Sequence, residues 1–181
     1  DNDMIGYLKI DRIGVELPIY HSTSEEVLNR GVGHLEGSSL PVGGENTHCV
    51  LSAHRGLPHA KLFTDLDKME VGDTFQITVL DRVLTYQVDQ IKTVRPNESQ
   101  DIQIEQGEDL CTLLTCTPYG INSHRLLVRG KRIENPISRI DITLPTESFT
   151  VELDEEDGLR VSSYADFVPN STKLNSLVTY L

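Results

Sequence analysis

Residues 74–94 read TFQITVLDRVLTYQVDQIKTV. Phe75, Ile77 and Val79 alternate with polar neighbours, Asp81-Arg82 interrupts, and the alternation resumes from Val83 to Val94. A period of two belongs to half-buried strands. Two such runs about a short polar break predict an antiparallel hairpin. Working outward, residues 5–21 (IGYLKIDRIGVELPIYH) alternate in the same way, with a break at Ile13-Gly14, and predict two short strands. Residues 48–54 (HCVLSAH), 110–116 (LCTLLTC) and 125–133 (RLLVRGKRI) are apolar runs of strand length. Helical signals are few. Ser24 caps a turn or two that ends at Gly31. Residues 59–69 place Leu62, Phe63, Leu66 and Met69 on one helical face. Residues 35–47 read as loop, and 97–109 as a polar loop with a short helix. About eight strands with two or three short helices predict a mainly all-β domain, a closed or nearly closed barrel.

The chain has 181 residues, 16 Lys+Arg against 28 Asp+Glu, and a formal charge of −12. That sign excludes a phosphate-backbone binder, so no nucleic-acid partner is expected. It also disfavours an anionic membrane surface. No apolar run approaches the roughly 20 residues of a membrane span. The start, DNDMIGYLKI, has no basic segment followed by a long apolar one, so no signal peptide is expected within these residues. Composition shifts at Asn135-Pro136. Residues 136–181 hold eight acidic and three basic residues. We therefore divide the chain into a barrel, 1–135, and an acidic C-terminal appendage, 136–181. Within the appendage, 141–161 shows partial strand-like alternation and 172–181 (TKLNSLVTYL) suits a short amphipathic helix.

Three features could carry chemistry: Ser52-Ala53-His54-Arg55-Gly56, Thr112-Leu113-Leu114-Thr115-Cys116, and Arg125 at the start of the last strand. A cysteine nucleophile reacts as its thiolate. An imidazole can take its proton and later protonate a leaving amine. A guanidinium can hold the anionic tetrahedral intermediate. Any barrel could bear a buried cysteine in place of a nucleophile, so spacing alone leaves both readings open.

The motifs go further. TLLTC (112–116) and THCVLSAHRGLP (47–58) resemble the sortases, cysteine transpeptidases of Gram-positive cell surfaces, and TCTPYGINSHRLLVRGKRI (115–133) resembles their pilin-polymerising class C branch more than the housekeeping class A branch. GHLEGSSLPVGGENTH (33–48) and KLFTDLDKMEVGD (61–73) are similar to the pilin-polymerising class C branch. The resemblance covers Ile5 to Ile133 and implies the eight-stranded sortase barrel. It implies Cys116 as nucleophile, His54 as acid/base and Arg125 as stabiliser of substrate and oxyanion, with Thr115 near the substrate. His124, beside Arg125, is a candidate for lining the substrate groove or an exposed loop residue.

The implied partners are pilin subunits with an LPxTG-type sorting signal and an acceptor lysine. The implied place is the outer face of the membrane, held by anchors in segments outside these residues. No metal or organic cofactor is needed for this chemistry. Class C enzymes commonly carry a lid with an Asp-Pro-aromatic motif, and no such motif precedes Ile5. Rival readings are a cell-wall-anchoring sortase using a peptidoglycan amine, a non-enzymatic surface-binding barrel, and a cysteine protease.

Cys49 and Cys111 each lie five positions before His54 and Cys116. If those two meet at matched ends of adjacent parallel strands, Cys49 and Cys111 are level. The readings are then a disulfide or close contact, or two reduced core thiols. His48, Cys49, His54 and His59 lack zinc-ligand spacing, and no metal site is expected. Arg55 reads as a surface or loop anchor, and His21 and His34 as structural. The acidic run Asp154–Gly158 reads as a solvated charge run rather than a calcium loop. Leu144-Pro145-Thr146-Glu147 echoes a sorting signal but has Glu where that signal needs Thr.

Overall fold

A computed structural model describes residues 4–133, 138–143, 148–154 and 158–163. The chain divides into two compact units, Asp1–Glu134 and Asn135–Leu181. The first contains β1 (Met4–Ile10), β2 (Val15–His21), α1 (Glu25–Leu28), β3 (Val32–His34), β4 (Thr47–Ser52), β5 (Thr74–Val79), β6 (Arg82–Val94), β7 (Asp109–Thr117) and β8 (His124–Ile133). The eight strands close into a barrel in the order β1-β2-β3-β4-β7-β8-β6-β5. Closure leaves no open sheet edge. This is the all-β barrel that the alternating runs predict.

The 74–94 hairpin forms with Leu80 and Asp81 at its tip, one residue before the sequence break. The predicted helix over 59–69 does not form. That segment is mostly turns, with a 3₁₀ helix at Leu66–Lys68. Leu62 takes a φ of +39°, a left-handed value that interrupts an α-helix. Its four apolar residues are nonetheless all buried, Leu62 and Met69 at 3% and Phe63 and Leu66 at 0% exposure. Hydrophobic spacing thus located the buried residues but not the backbone. β3 was missed because three residues show no period. It pairs with β2 in parallel and β4 antiparallel.

Strand parity sorts the wall into two faces. Leu8, Ile10, Leu51, Ile77, Leu113 and Val128 point inward and form the core with Phe63 and Phe75. Cys49 and Cys111 belong to the same cluster and are partners in the parallel β4–β7 ladder, the level placement that the spacing predicted. Both thiols are free and share a hydrogen bond, so the pair is a contact and not a bond. Burial, then the hydrogen bond to Cys49, raises the Cys111 pKa well above its usual value. The thiolate needed for disulfide exchange is correspondingly disfavoured.

His48 faces outward but is covered. Its Nδ1 donates to the Gln103 carbonyl at 2.7 Å, and its Nε2 accepts from the Thr112 hydroxyl at 2.7 Å. A carbonyl can only accept, so the neutral ring with its proton on Nδ1 satisfies both bonds. Burial lowers the His48 pKa below 6.5. His21 and His34 stack with ring centroids 5.4 Å apart.

The second unit contains β9 (Ser138–Thr143), β10 (Ser148–Asp154) and β11 (Gly158–Ser163), an antiparallel sheet with β10 central. Val151 is level with Ile140 and Val161, whereas Glu152 is level with Arg139 and Arg160. The acidic residues 155–157, the Leu144–Glu147 segment and the amphipathic 172–181 stretch lie outside the described residues.

Two outcomes follow from the buried groups. The unfolded chain protonates His48 near pH 6.5 while the folded chain resists. His48 therefore contributes stability fully above pH 6.5, and that contribution is lost as pH falls from there toward the lowered folded value. Urea unfolding at pH 7.5 and 5.5 should show a smaller drop in His48→Gln than in wild type; equal drops would remove His48 as the cause. Thiol titration under denaturing, non-reducing conditions should count the three free cysteines, whereas one would reveal an oxidised Cys49–Cys111 pair.

Candidate active site

β7 delivers Cys116 one residue before its end, and the antiparallel β7–β8 register sets it directly opposite Arg125. Directly opposed residues have Cα atoms about 4.5–5.5 Å apart and project to one face. That face is the outer one, because Leu126 and Val128 of β8 point into the core. β4 runs parallel to β7, with Ser52 level with Leu114. The pairing continues beyond the strand: the Ala53 amide donates to the Leu114 carbonyl at 3.3 Å. His54 and Cys116 each lie two residues beyond Ser52 and Leu114, the last level pair of this ladder. Sequence positions 54, 116 and 125 converge at one end of the barrel wall.

Thr115 points inward and is 1% exposed. Its hydroxyl donates to the Ala53 carbonyl at 2.8 Å. It stitches the residue before Cys116 to the residue before His54, so its visible contact is with the scaffold. His124, at the start of β8, is level with Thr117, and its Nδ1 is 2.9 Å from the Ser123 hydroxyl. Arg125 Nη1 donates to the Asn122 carbonyl at 3.2 Å and to the His124 carbonyl at 3.0 Å. Asn122 presents its carbonyl from a left-handed conformation, φ +59°. Cys116 is half-buried and its thiol is free.

Arg55 is an anchor, but not at the surface: its side chain is only 5% exposed. It pairs with Asp67 at 2.8 Å, donates to the Thr64 carbonyl at 3.1 Å and to the Thr117 hydroxyl at 3.4 Å. One guanidinium thus joins the residue after His54, the 59–69 segment and the residue after Cys116. The Tyr119 ring lies over the same segment, 5.9 Å from the guanidinium carbon. It sits so close to Gly56, at φ +80°, that a Cβ there would meet the ring tip at 2.7 Å. Tyr119 and Ile121 are exposed at 60% and 72%, which puts apolar surface on the loop joining Cys116 to Arg125.

Glu25 of α1 was not anticipated. Its carboxylate is 3.3 Å from His54 Nε2. The sequence marks the helix cap at Ser24, but nothing in a separation of 29 residues signals this contact. Among the described residues, no group of three or more His, Cys, Asp and Glu side chains is placed to hold a metal ion.

The Sortase domain profile matches residues 8–133, well over half the chain. The chain belongs to the sortase family. It is 31% identical over 131 residues to Sortase D of Bacillus subtilis strain 168, covering 71% of this chain and 63% of that protein. The crystal structure of Streptococcus pneumoniae sortase C is 62% identical, with a TM-score of 0.73, over 75% of this chain and 71% of that one. Sortase C1 from Streptococcus agalactiae is 57% identical, with a TM-score of 0.73, over 74% and 69%. This sortase spans between 40% and 63% of the length of the curated relatives it matches.

Arg55→Lys tests the anchor. An ammonium is a point charge and cannot present the planar fork that reaches Asp67, Thr64 and Thr117 together. Losing part of a buried, charge-assisted network should cost about 1–3 kcal/mol. Urea unfolding measures this, and a change below about 0.5 kcal/mol would show that the anchor is dispensable.

Proposed function

We propose that this sortase is a transpeptidase that cleaves an LPxTG-type sorting signal and passes it to a lysine of a pilin subunit, building covalent pili. The observation that supports the chemistry is the meeting of two registers: Cys116 opposite Arg125, and Ser52, two residues before His54, level with Leu114, two residues before Cys116. The similarity to streptococcal sortase C supports the pilin assignment. The structure of the Streptococcus pneumoniae enzyme, the 62% identical relative, is described in terms of catalysis and pilin substrate specificity.

In this reading the Cys116 thiolate attacks the Thr carbonyl carbon of the signal. Arg125 leaves its own loop carbonyls to hold the oxygen that becomes anionic. His54 protonates the departing Gly amine, and the C–S bond of a thioester replaces the C–N bond. The lysine amine then attacks the thioester carbon, gives its proton to His54 and releases the thiolate. The product is an isopeptide bond. Atoms and charge balance without a cofactor. The reading places the enzyme at the outer face of a Gram-positive membrane, where pilins and their acceptor lysines meet.

The decisive experiment offers a reporter-tagged sorting-signal peptide to the enzyme with a lysine-bearing pilin domain and a glycine-type wall amine both present. Mass spectrometry reads the products. Reporter on the pilin lysine is expected. Reporter mainly on the wall amine would make it an anchoring sortase, and no acyl-enzyme with any acceptor would make the barrel a binding module. Cys116→Ala should abolish turnover with little change in melting temperature. Arg125→Lys should reduce kcat by about 10²-fold, the scale of losing one oxyanion donor. Near wild-type turnover in either variant would overturn that residue's role.

A further inference from the structure

Glu25 approaches the site from α1, far in sequence from the three residues discussed above, and its placement is fixed by packing. The Ser24 hydroxyl caps the helix by accepting from the Val27 amide at 3.4 Å. Val27 is 6% exposed, the buried residue of this helix. At Gly33 of β3, an added Cβ would lie 2.5 Å from the Ser22 carbonyl oxygen and 3.2 Å from Leu28 Cδ2. The helix and its lead-in therefore rest against the strand with no room for a side chain between them. This docking sets the Glu25 carboxylate 3.3 Å from His54 Nε2, while the Asn29 amide, 3.4 Å away, donates to the same oxygen.

An ionised carboxylate only accepts hydrogen bonds. The contact therefore places a proton on Nε2, and Nδ1 is the nitrogen left for proton exchange. A carboxylate that fixes the orientation and tautomer of a histidine while the opposite nitrogen serves a nucleophile is a known division of labour. The charged or titratable groups on the neighbouring elements are Cys116 of β7 and Arg125 of β8, with Arg55 adjoining His54 in the chain. Arg55 is engaged by Asp67 and Arg125 by its own loop's carbonyls. Among the described residues, Glu25 is thus the carboxylate that meets the His54 ring.

We propose that Glu25 is a positioning residue for His54, holding the ring by Nε2 so that Nδ1 serves the Cys116 thiol and the leaving amine. This rests on His54 being the acid/base group proposed above. Glu25 is 78% exposed, so the effect is that of a solvent-screened contact. Alanine should lower kcat for acyl-enzyme formation by about 2- to 5-fold with KM unchanged, the range of about 0.4–1 kcal/mol expected of an exposed pair. Glutamine retains an acceptor oxygen and should restore at least half of that loss.

The test compares wild type, Glu25→Ala and Glu25→Gln in two readouts. One is single-turnover thioester formation with the sorting-signal peptide. The other is the tautomer of His54, read from its ring nitrogen shifts by NMR without substrate. The expected result is an Nε2–H tautomer in wild type, a mixed population in the alanine variant and a restored bias in the glutamine variant, with kcat following the same order. An unchanged tautomer in Glu25→Ala would overturn the proposal, as would a change in KM alone. If wild type forms no acyl-enzyme but the tautomer responds as expected, the pairing stands and the transpeptidase reading fails.

Discussion

The parallel pairing of β4 with β7 is the constraint on which the rest depends. Each strand has an inward row that builds the core, Cys49-Leu51 and Cys111-Leu113, and an outward row, which in β7 includes Cys116 and in β4 stops at Ser52, two residues before His54. A slip of one residue in either strand would exchange its rows, turning outward residues such as Cys116 into the barrel and exposing the core. The same core burial that stabilises the barrel therefore also aligns the site. The thiol contact between Cys49 and Cys111 and the Thr115–Ala53 hydrogen bond mark this register at two levels of the wall.

Around that frame, the loops are held by buried polar groups. Arg55 draws the 59–69 segment and the end of β7 toward His54. His48 performs a similar service further down the wall, fastening the Gln103 backbone to Thr112. Arg129, with its pKa raised chiefly by hydrogen bonding to Asp89, clamps Asp89 at 2.7 Å and Glu105 at 2.6 Å. Cys116 is half-buried, and Arg125 opposite it rests on the Asn122 and His124 carbonyls.

Several sequence readings succeeded for a shared reason. The strands of 74–94, 110–116 and 125–133 carry strong alternation or long apolar runs, which reflect burial directly. The level placement of the two inner cysteines was legible from a repeated offset of five. The 59–69 segment exposes the boundary of such reasoning: its apolar residues are buried, yet the backbone is not helical, because side-chain spacing records which residues face the core and not how the chain turns between them. Arg55 read as a surface or loop anchor, and only burial shows it inside a network. Thr115 read as a residue near the substrate, and its hydroxyl is engaged by the chain itself.

The sequence by itself determined the class of fold, the strands that carry Cys116 and Arg125 and the one that leads to His54, and, through its motifs, the family. These are written in local periodicity and short contiguous runs. Only the tertiary structure decided that β4 and β7 are neighbours in register, that Cys116 and Arg125 stand opposite each other, and that α1 delivers Glu25 to the imidazole. Those facts depend on strand order and on the close approach permitted at Gly33, and neither leaves a periodic trace along the chain. Contacts between residues 29 or 62 positions apart arise when the barrel closes, because closure, rather than local preference, selects which strand ends lie side by side.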